Sequence, residues 1–134
     1  MKLVNSLYES TFRGLEKAME LQLRRHEALT SNISNAETPQ YRATDLTFAG
    51  ELNRAFSGES EELRTTNSRH LDLVSESGSH LVADLSGATK GDGNNVDMDM
   101  QLAKMNANLG KYMGAAQLIQ TKFRNIKSFL REVG

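Results

Sequence analysis

Residues 98–130 constrain this chain most, because their apolar side chains recur at alternating spacings of four and three. The series is Met98, Leu102, Met105, Leu109, Tyr112, Ala116, Ile119, Phe123, Ile126 and Leu130, with no charge among them. A repeat averaging about 3.5 residues lays one apolar stripe along a helix, and another long helix is what buries a stripe of that length. Residues 8–33 carry a weaker version in the same register: Tyr8, Phe12, Leu15, Met19, Gln22, His26, Leu29 and Ile33. Gln22 and His26 interrupt it. Two readings stand: polar seam positions that fix register at a cost in stability, or a helix side that is only partly buried. Leu7, Leu21 and Leu23 lie off this seam and widen the apolar surface, as a helix with more than one neighbour requires.

The C-terminal helix has recognisable ends and a second face. Asn94, Asn95 and Asp97 offer capping side chains, Asp97 and Asp99 put negative charge at the first turn, and Lys127 and Arg131 put positive charge at the last. From residue 100 to 131 every charged side chain is basic: Lys104, Lys111, Lys122, Arg124, Lys127 and Arg131. That side faces solvent or an acidic partner. Away from the seam, Ala103, Ala107, Gly110 and Gly114 repeat with small side chains only. Ala is the best helix former and suits an exposed surface, whereas each glycine costs roughly 1 kcal/mol in a helix interior. The pair of glycines therefore points to close packing against a further helix, in a neighbouring molecule.

Between the helices the pattern is less regular. Thr38 precedes Pro39 and is driven towards extended backbone, so the first helix ends near Asn35. Phe48, Leu52 and Phe56 recur every four residues and predict a short amphipathic helix over 45–56. Residues 57–93 are polar, with apolar islands at 71–74 and 81–85 that read either as strands of a small hairpin around 77–79 or as a mobile loop. Residues 88–95, containing GDGNN, form a turn into the last helix. The expected architecture is mainly α, with long N- and C-terminal helices (1–35 and 94–134) pairing as a coiled-coil-like bundle. The middle segment (36–93) is irregular, either partly β or disordered, within one structural domain.

Bulk properties narrow the function. A chain of 134 residues with 6% aromatics and no Trp has little material for a large compact core. A net charge of −1 gives no electrostatic reason to expect nucleic acid. Acids concentrate centrally: residues 45–84 carry eight against Arg54, Arg64 and Arg69, which places the middle to face basic helices of neighbours. The absence of cysteine removes disulfides, thiolate zinc sites and cysteine nucleophiles. No apolar run approaches the roughly 20 residues of a membrane span, and no cleavable signal is visible. His26, His70 and His80 lack the spacing of metal ligands. The segment DGNNVDMD fails the EF-hand template, and KGDGNN lacks the Gly-Lys-Ser/Thr ending of a phosphate loop. The expectation is a chain with no catalytic, metal or cofactor site. Helix pairing fits a closed coiled-coil adaptor or secretion chaperone, or a membrane-surface module using the basic last helix.

Specific stretches also carry a resemblance. LTSNISNAETPQYRATDLTFAGEL resembles the N-terminal signature of bacterial flagellar rod and hook axial proteins, in which Asn-Ile-Ala-Asn-Ala precedes Thr-Pro-Gly-Tyr. DGNNVDMD followed by the helix through KYMGAAQLIQTKF narrows the likeness to proximal rod members. These stretches cover about half the chain, at both ends, and the middle matches only weakly, around 65–71. The motif carries over at Asn32, Ile33, Asn35, Ala36, Thr38, Pro39 and Tyr41, and at Asp92, Gly93, Asn94, Val96 and Asp97. Ser34 stands where Ala is usual, and Gln40 where the family commonly has Gly. What the resemblance implies is a structural subunit of the flagellar basal body, assembling helically through its terminal helices to transmit torque. Its implied partners are other rod subunits, its own copies, the basal-body components at the rod base and the type III export apparatus, which would carry it without a cleaved signal.

Overall fold

The computed structural model describes residues 2–57 and 78–133. Helix α1 (Lys2–Ser34) is followed by strand β1 (Thr44–Thr47), helix α2 (Ala49–Ser57), strand β2 (His80–Ala83) and helix α3 (Met98–Val133). The chain is mainly helical, and its two long helices pair antiparallel. Three contacts fix that sense: the Asn32 side-chain amide donates to the Gln101 side chain at 2.9 Å. The Asn108 amide donates to the Gln22 carbonyl at 2.7 Å. The rings of Phe12 and Phe123 meet with centroids 5.1 Å apart. Positions falling along α1 thus meet positions rising along α3.

On α1 the packed register contains Leu15, Gln22 and Leu29, all buried, with Phe12, Met19, His26 and Ile33 half-buried. Gln22 is therefore enclosed, its side-chain oxygen without a partner in the chain, whereas His26 is only half-buried, as the second of the two readings had it. An adjacent face of α1 takes the remaining elements. The Phe56 ring of α2 lies directly on Gly14, where a Cβ would collide with it. Lys17 pairs with Glu51 of α2 at 2.8 Å, and Arg25 forks onto both oxygens of Asp45 in β1 at 2.7 and 2.6 Å. Leu21, off the seam and fully buried, belongs to this side.

The middle departs from the helix expected over 45–56. Residues 44–47 are extended and the helix begins only at Ala49. The reason is pairing: β1 meets β2 antiparallel, with Thr44 opposite Ala83 and Thr47 opposite His80. The apolar island at 81–85 does contain a strand, whose partner among the described residues is β1; the island at 71–74 lies outside the described residues. A register of Phe48, Leu52 and Phe56 could not reveal a pairing partner so distant in sequence.

Candidate assembly site: a polar clasp and an uncovered helix face

At one end of the hairpin, the turn after α1 and the turn before α3 are sewn together by asparagines. The Asn32 side chain copies the edge of a strand. Its Oδ1 accepts the Thr44 N–H at 3.0 Å and its Nδ2 donates to the Thr44 carbonyl at 2.7 Å, besides reaching Gln101. Asn94, fully buried, donates to the carbonyls of Asn35 and Thr38 at 2.9 and 2.7 Å and accepts the Val96 N–H at 2.7 Å. Asn95 accepts the Ala43 N–H at 2.7 Å and donates to the Asp84 carbonyl at 2.8 Å. These groups satisfy backbone left unpaired where a helix stops and a chain turns inside the protein. Around them Ala36, Ala43 and Val96 form a small apolar cluster covered by Tyr41. Asn94 and Asn95 are thus cross-links between turns. The α3 cap is Asp97 alone, whose Oδ1 accepts the Met100 N–H at 3.1 Å.

Asp84 is the charged centre of this clasp. Burial opposes its charge, but Lys104 at 2.5 Å, Ser86 at 2.6 Å and Gln101 at 2.8 Å all donate to the carboxylate and outweigh that, holding the carboxyl far below the usual range. Asp45 and Glu51 are likewise lowered, burial again being overcome, by Arg25 and by Lys17. Three acids of the middle segment are therefore neutralised within the chain itself.

The turn after Pro39 explains the departure from the family pattern. Gln40 has φ +61°, the left-handed conformation that Gly adopts freely and a side chain resists. Its N–H donates to the Asp92 carbonyl at 3.0 Å, and the neighbouring strand of the turn is Gly93, with φ +82°. Gln40 thus retains the glycine conformation, held there by the clasp.

Only part of the apolar stripe of α3 packs on α1. The buried positions are Gln101, Asn108 and Ala115, with Met105, Tyr112, Ile119 and Ile126 half-buried beside them. The packed face thus shares Met105, Tyr112, Ile119 and Ile126 with the apolar series and has Gln101, Asn108 and Ala115 in place of its other half. Met98, Leu102, Leu109, Phe123 and Leu130 are between 41% and 65% exposed, and Met113, Leu118 and Phe129 are exposed with them. Ala116 is half-buried. With that row facing inward, Gln101 reaches Asn32 and Asp84 and the Asn108 amide reaches the Gln22 carbonyl, while the side-chain oxygens of Gln22 and Asn108 stay buried without a partner in the chain. Ala103, Ala107 and Gly110 are exposed, Gly114 is half-buried, and a Cβ added at either glycine would meet nothing within 4 Å. Of the residues that pattern reading did not single out, Gln101 and Asn108 had a signal available, since 101, 108 and 115 recur every seven positions. Asp84 and Arg25 had none.

A helical hairpin locked at one end by a polar clasp, with apolar and small-residue faces of one helix left uncovered, defines a structural subunit built to be surrounded by neighbours. No protein-family model matches the sequence. The flagellar basal body rod protein FlgB of Proteus mirabilis strain HI4320 is 32% identical over 133 residues, spanning 92% of this chain and 96% of the relative. The protein of that name from Salmonella typhimurium strain LT2 is 30% identical over 130 residues (92% and 94%), and that from Bacillus subtilis strain 168 is 29% identical over 126 residues (93% and 96%). The chain belongs to the FlgB family of flagellar basal body rod proteins.

Proposed function

We propose that this chain is a structural subunit of the proximal part of the flagellar rod, held there by neighbours that cover the outward faces of α1 and α3. The observation that carries the reading is the exposed row Leu102, Leu109, Phe123 and Leu130. An isolated subunit leaves about half of each of those side chains in water, and covering the rest contributes a corresponding part of the roughly 1.5–3 kcal/mol of full burial. The clasp supports a mechanical role, since force applied to one long helix passes to the other through Asn32, Asn94, Asn95 and Asp84 as well as through packing. The partners in this reading are other rod subunits, copies of this chain and the basal-body components at the rod base. Delivery is by the flagellar type III apparatus without a cleaved signal. Membership of the rod family leaves the closed adaptor or secretion chaperone without support.

Mass spectrometry of hook-basal-body particles purified from the bacterium that makes this chain tests the reading. The chain is expected as a stoichiometric component that survives removal of loosely bound protein. Its absence from particles containing the other rod proteins would overturn the assignment.

A further inference from the structure

The middle of the helix pairing carries polar groups that the chain itself leaves incomplete. Gln22 and Asn108 meet at the centre of the inward rows Leu15, Gln22, Leu29 and Gln101, Asn108, Ala115, and they are only 6% and 1% exposed. The Asn108 amide donates to the Gln22 backbone carbonyl at 2.7 Å. Neither side-chain oxygen, Gln22 Oε1 nor Asn108 Oδ1, has a hydrogen-bond partner in the chain, and both are wholly enclosed. Exchanging nitrogen and oxygen does not remove the problem. In Asn108 it would set two oxygens against each other, and in Gln22 it would enclose an unpaired N–H instead of an unpaired acceptor. Glu51 Oε2, the third such oxygen among the described residues, differs, because Lys17 engages the other oxygen of the same carboxylate.

Enclosed acceptors call for a donor, because a buried polar atom without a partner is costly. The chemistry of the place narrows what that donor is. No side chain of a neighbouring molecule reaches atoms that solvent cannot touch in the single chain, so the donor is small enough to be enclosed with them. It is also neutral: the residues half-buried around the pair on the two helices include Met19, His26, Met105 and Tyr112 and no acid, which leaves a cation without a counter-charge. Water has both properties and two hydrogens to give. We propose that Gln22 and Asn108 hold an ordered water between α1 and α3, which donates to Gln22 Oε1 and to Asn108 Oδ1. The surroundings suit it. A helical side chain lies back over the preceding turn, which carries the Gln22 amide towards Ala18, and the next inward position of α3 is Ala115. Short side chains at both positions leave space that leucines would fill. Bound there, the water ties the helices together between the Asn32 bond to Gln101 and the ring contact of Phe12 with Phe123. It enters and leaves only when the seam opens, so its residence time measures opening of the middle of the hairpin. The site lies within one chain and does not depend on the rod reading.

Oxygen-17 magnetic relaxation dispersion, which counts waters held for long times inside a protein, tests the proposal on the full chain in dilute solution. The unaltered chain is compared with one carrying Gln22→Met and Asn108→Leu together, which keep the side chains close in size and remove both acceptors. Fewer long-lived waters are expected in the double variant, with helix content unchanged by circular dichroism. Equal numbers in two equally folded chains would overturn the proposal. Should the double variant fold poorly, a crystal structure of the unaltered chain decides. Solvent density within hydrogen-bonding distance of both oxygens, roughly 2.7–3.2 Å, is the expected result. Oxygens of Gln22 and Asn108 met by protein atoms only would overturn it.

Discussion

Asn32 uses both polar atoms of its side chain, in four hydrogen bonds. It completes both backbone groups of Thr44 and reaches across to Gln101, so Asn32→Ala leaves several buried groups unpaired at once. Urea unfolding should show a loss of about 2–4 kcal/mol, well above that of one ordinary hydrogen bond. Gln40 works in the other direction. Replacing it by Gly removes the resistance to φ +61° and should raise stability by up to about 1 kcal/mol; no gain would mean that the side chain has contacts compensating its strain. Asp84, Asp45 and Glu51 set the acid response. Their carboxyls are lowered in the folded chain, so their contribution is fully present above the unfolded carboxylate range of about 4 and is lost as pH falls through the folded values. Thermal melts from pH 7 to pH 2 should fall progressively below about pH 4. Asp84→Asn should lower the neutral plateau and flatten that descent.

At the scale of elements, the decisive fact is which row of α3 faces α1. The exposed stripe predicts that Leu109→Asp spares the hairpin and damages association, because the new charge remains in water in the free chain. A stripe buried within the chain would instead lose pairing and assembly together, as the periodicity alone suggested. Ala115→Asp puts the same charge into the packed face, and should unfold the pairing. Circular dichroism of the two variants separates these cases: near-parental helix content in the first, a marked loss in the second. Gly110→Leu belongs with the first, since the added side chain enters open space in the single chain and obstructs only a neighbour. β1 and β2 are four residues each, and a sheet so small is held by what flanks it: Arg25 on Asp45, Asn32 on Thr44 and Asn95 on Ala43.

Across the whole molecule, order is unevenly supported. Buried side chains and cross-links gather between Leu15 and Ala36 on one helix and between Asn94 and Ala115 on the other. Beyond Ala115 no described residue of α3 is fully buried, and the ring contact of Phe12 with Phe123 is the tie at that end that bridges the helices through aromatic packing. Long helices draw most of their stability from packing of an amphipathic face, so the two ends should differ. In the dilute subunit, amide exchange should be slow over residues 98–112 and at least tenfold faster over 120–131, with protection spreading to the second segment on assembly. Uniform protection along α3 without any oligomer would reject this gradient.

Two long helices, the stop before Pro39 and the family motif were legible because periodicity, proline and residue type act locally. The motif residues were legible as a pattern but not as a device. That Asn32, Asn35, Asn94 and Asn95 meet depends on bringing positions about sixty residues apart into register, which no local signal encodes. Pattern reading placed an apolar stripe on α3 correctly and said that something must cover it. Only tertiary structure decided how much of it α1 covers: Met105, Tyr112, Ile119 and Ile126 pack beside the enclosed Gln101 and Asn108, whose amides donate to Asp84 and to the Gln22 carbonyl, and Leu102, Leu109 and Leu130 are left outward. The strand pairing of 44–47 with 80–83 was likewise settled by long-range hydrogen bonds and ion pairs rather than by the helical spacing of Phe48, Leu52 and Phe56. Sequence by itself determined which surfaces are apolar, and the fold determined which of them are kept for other molecules.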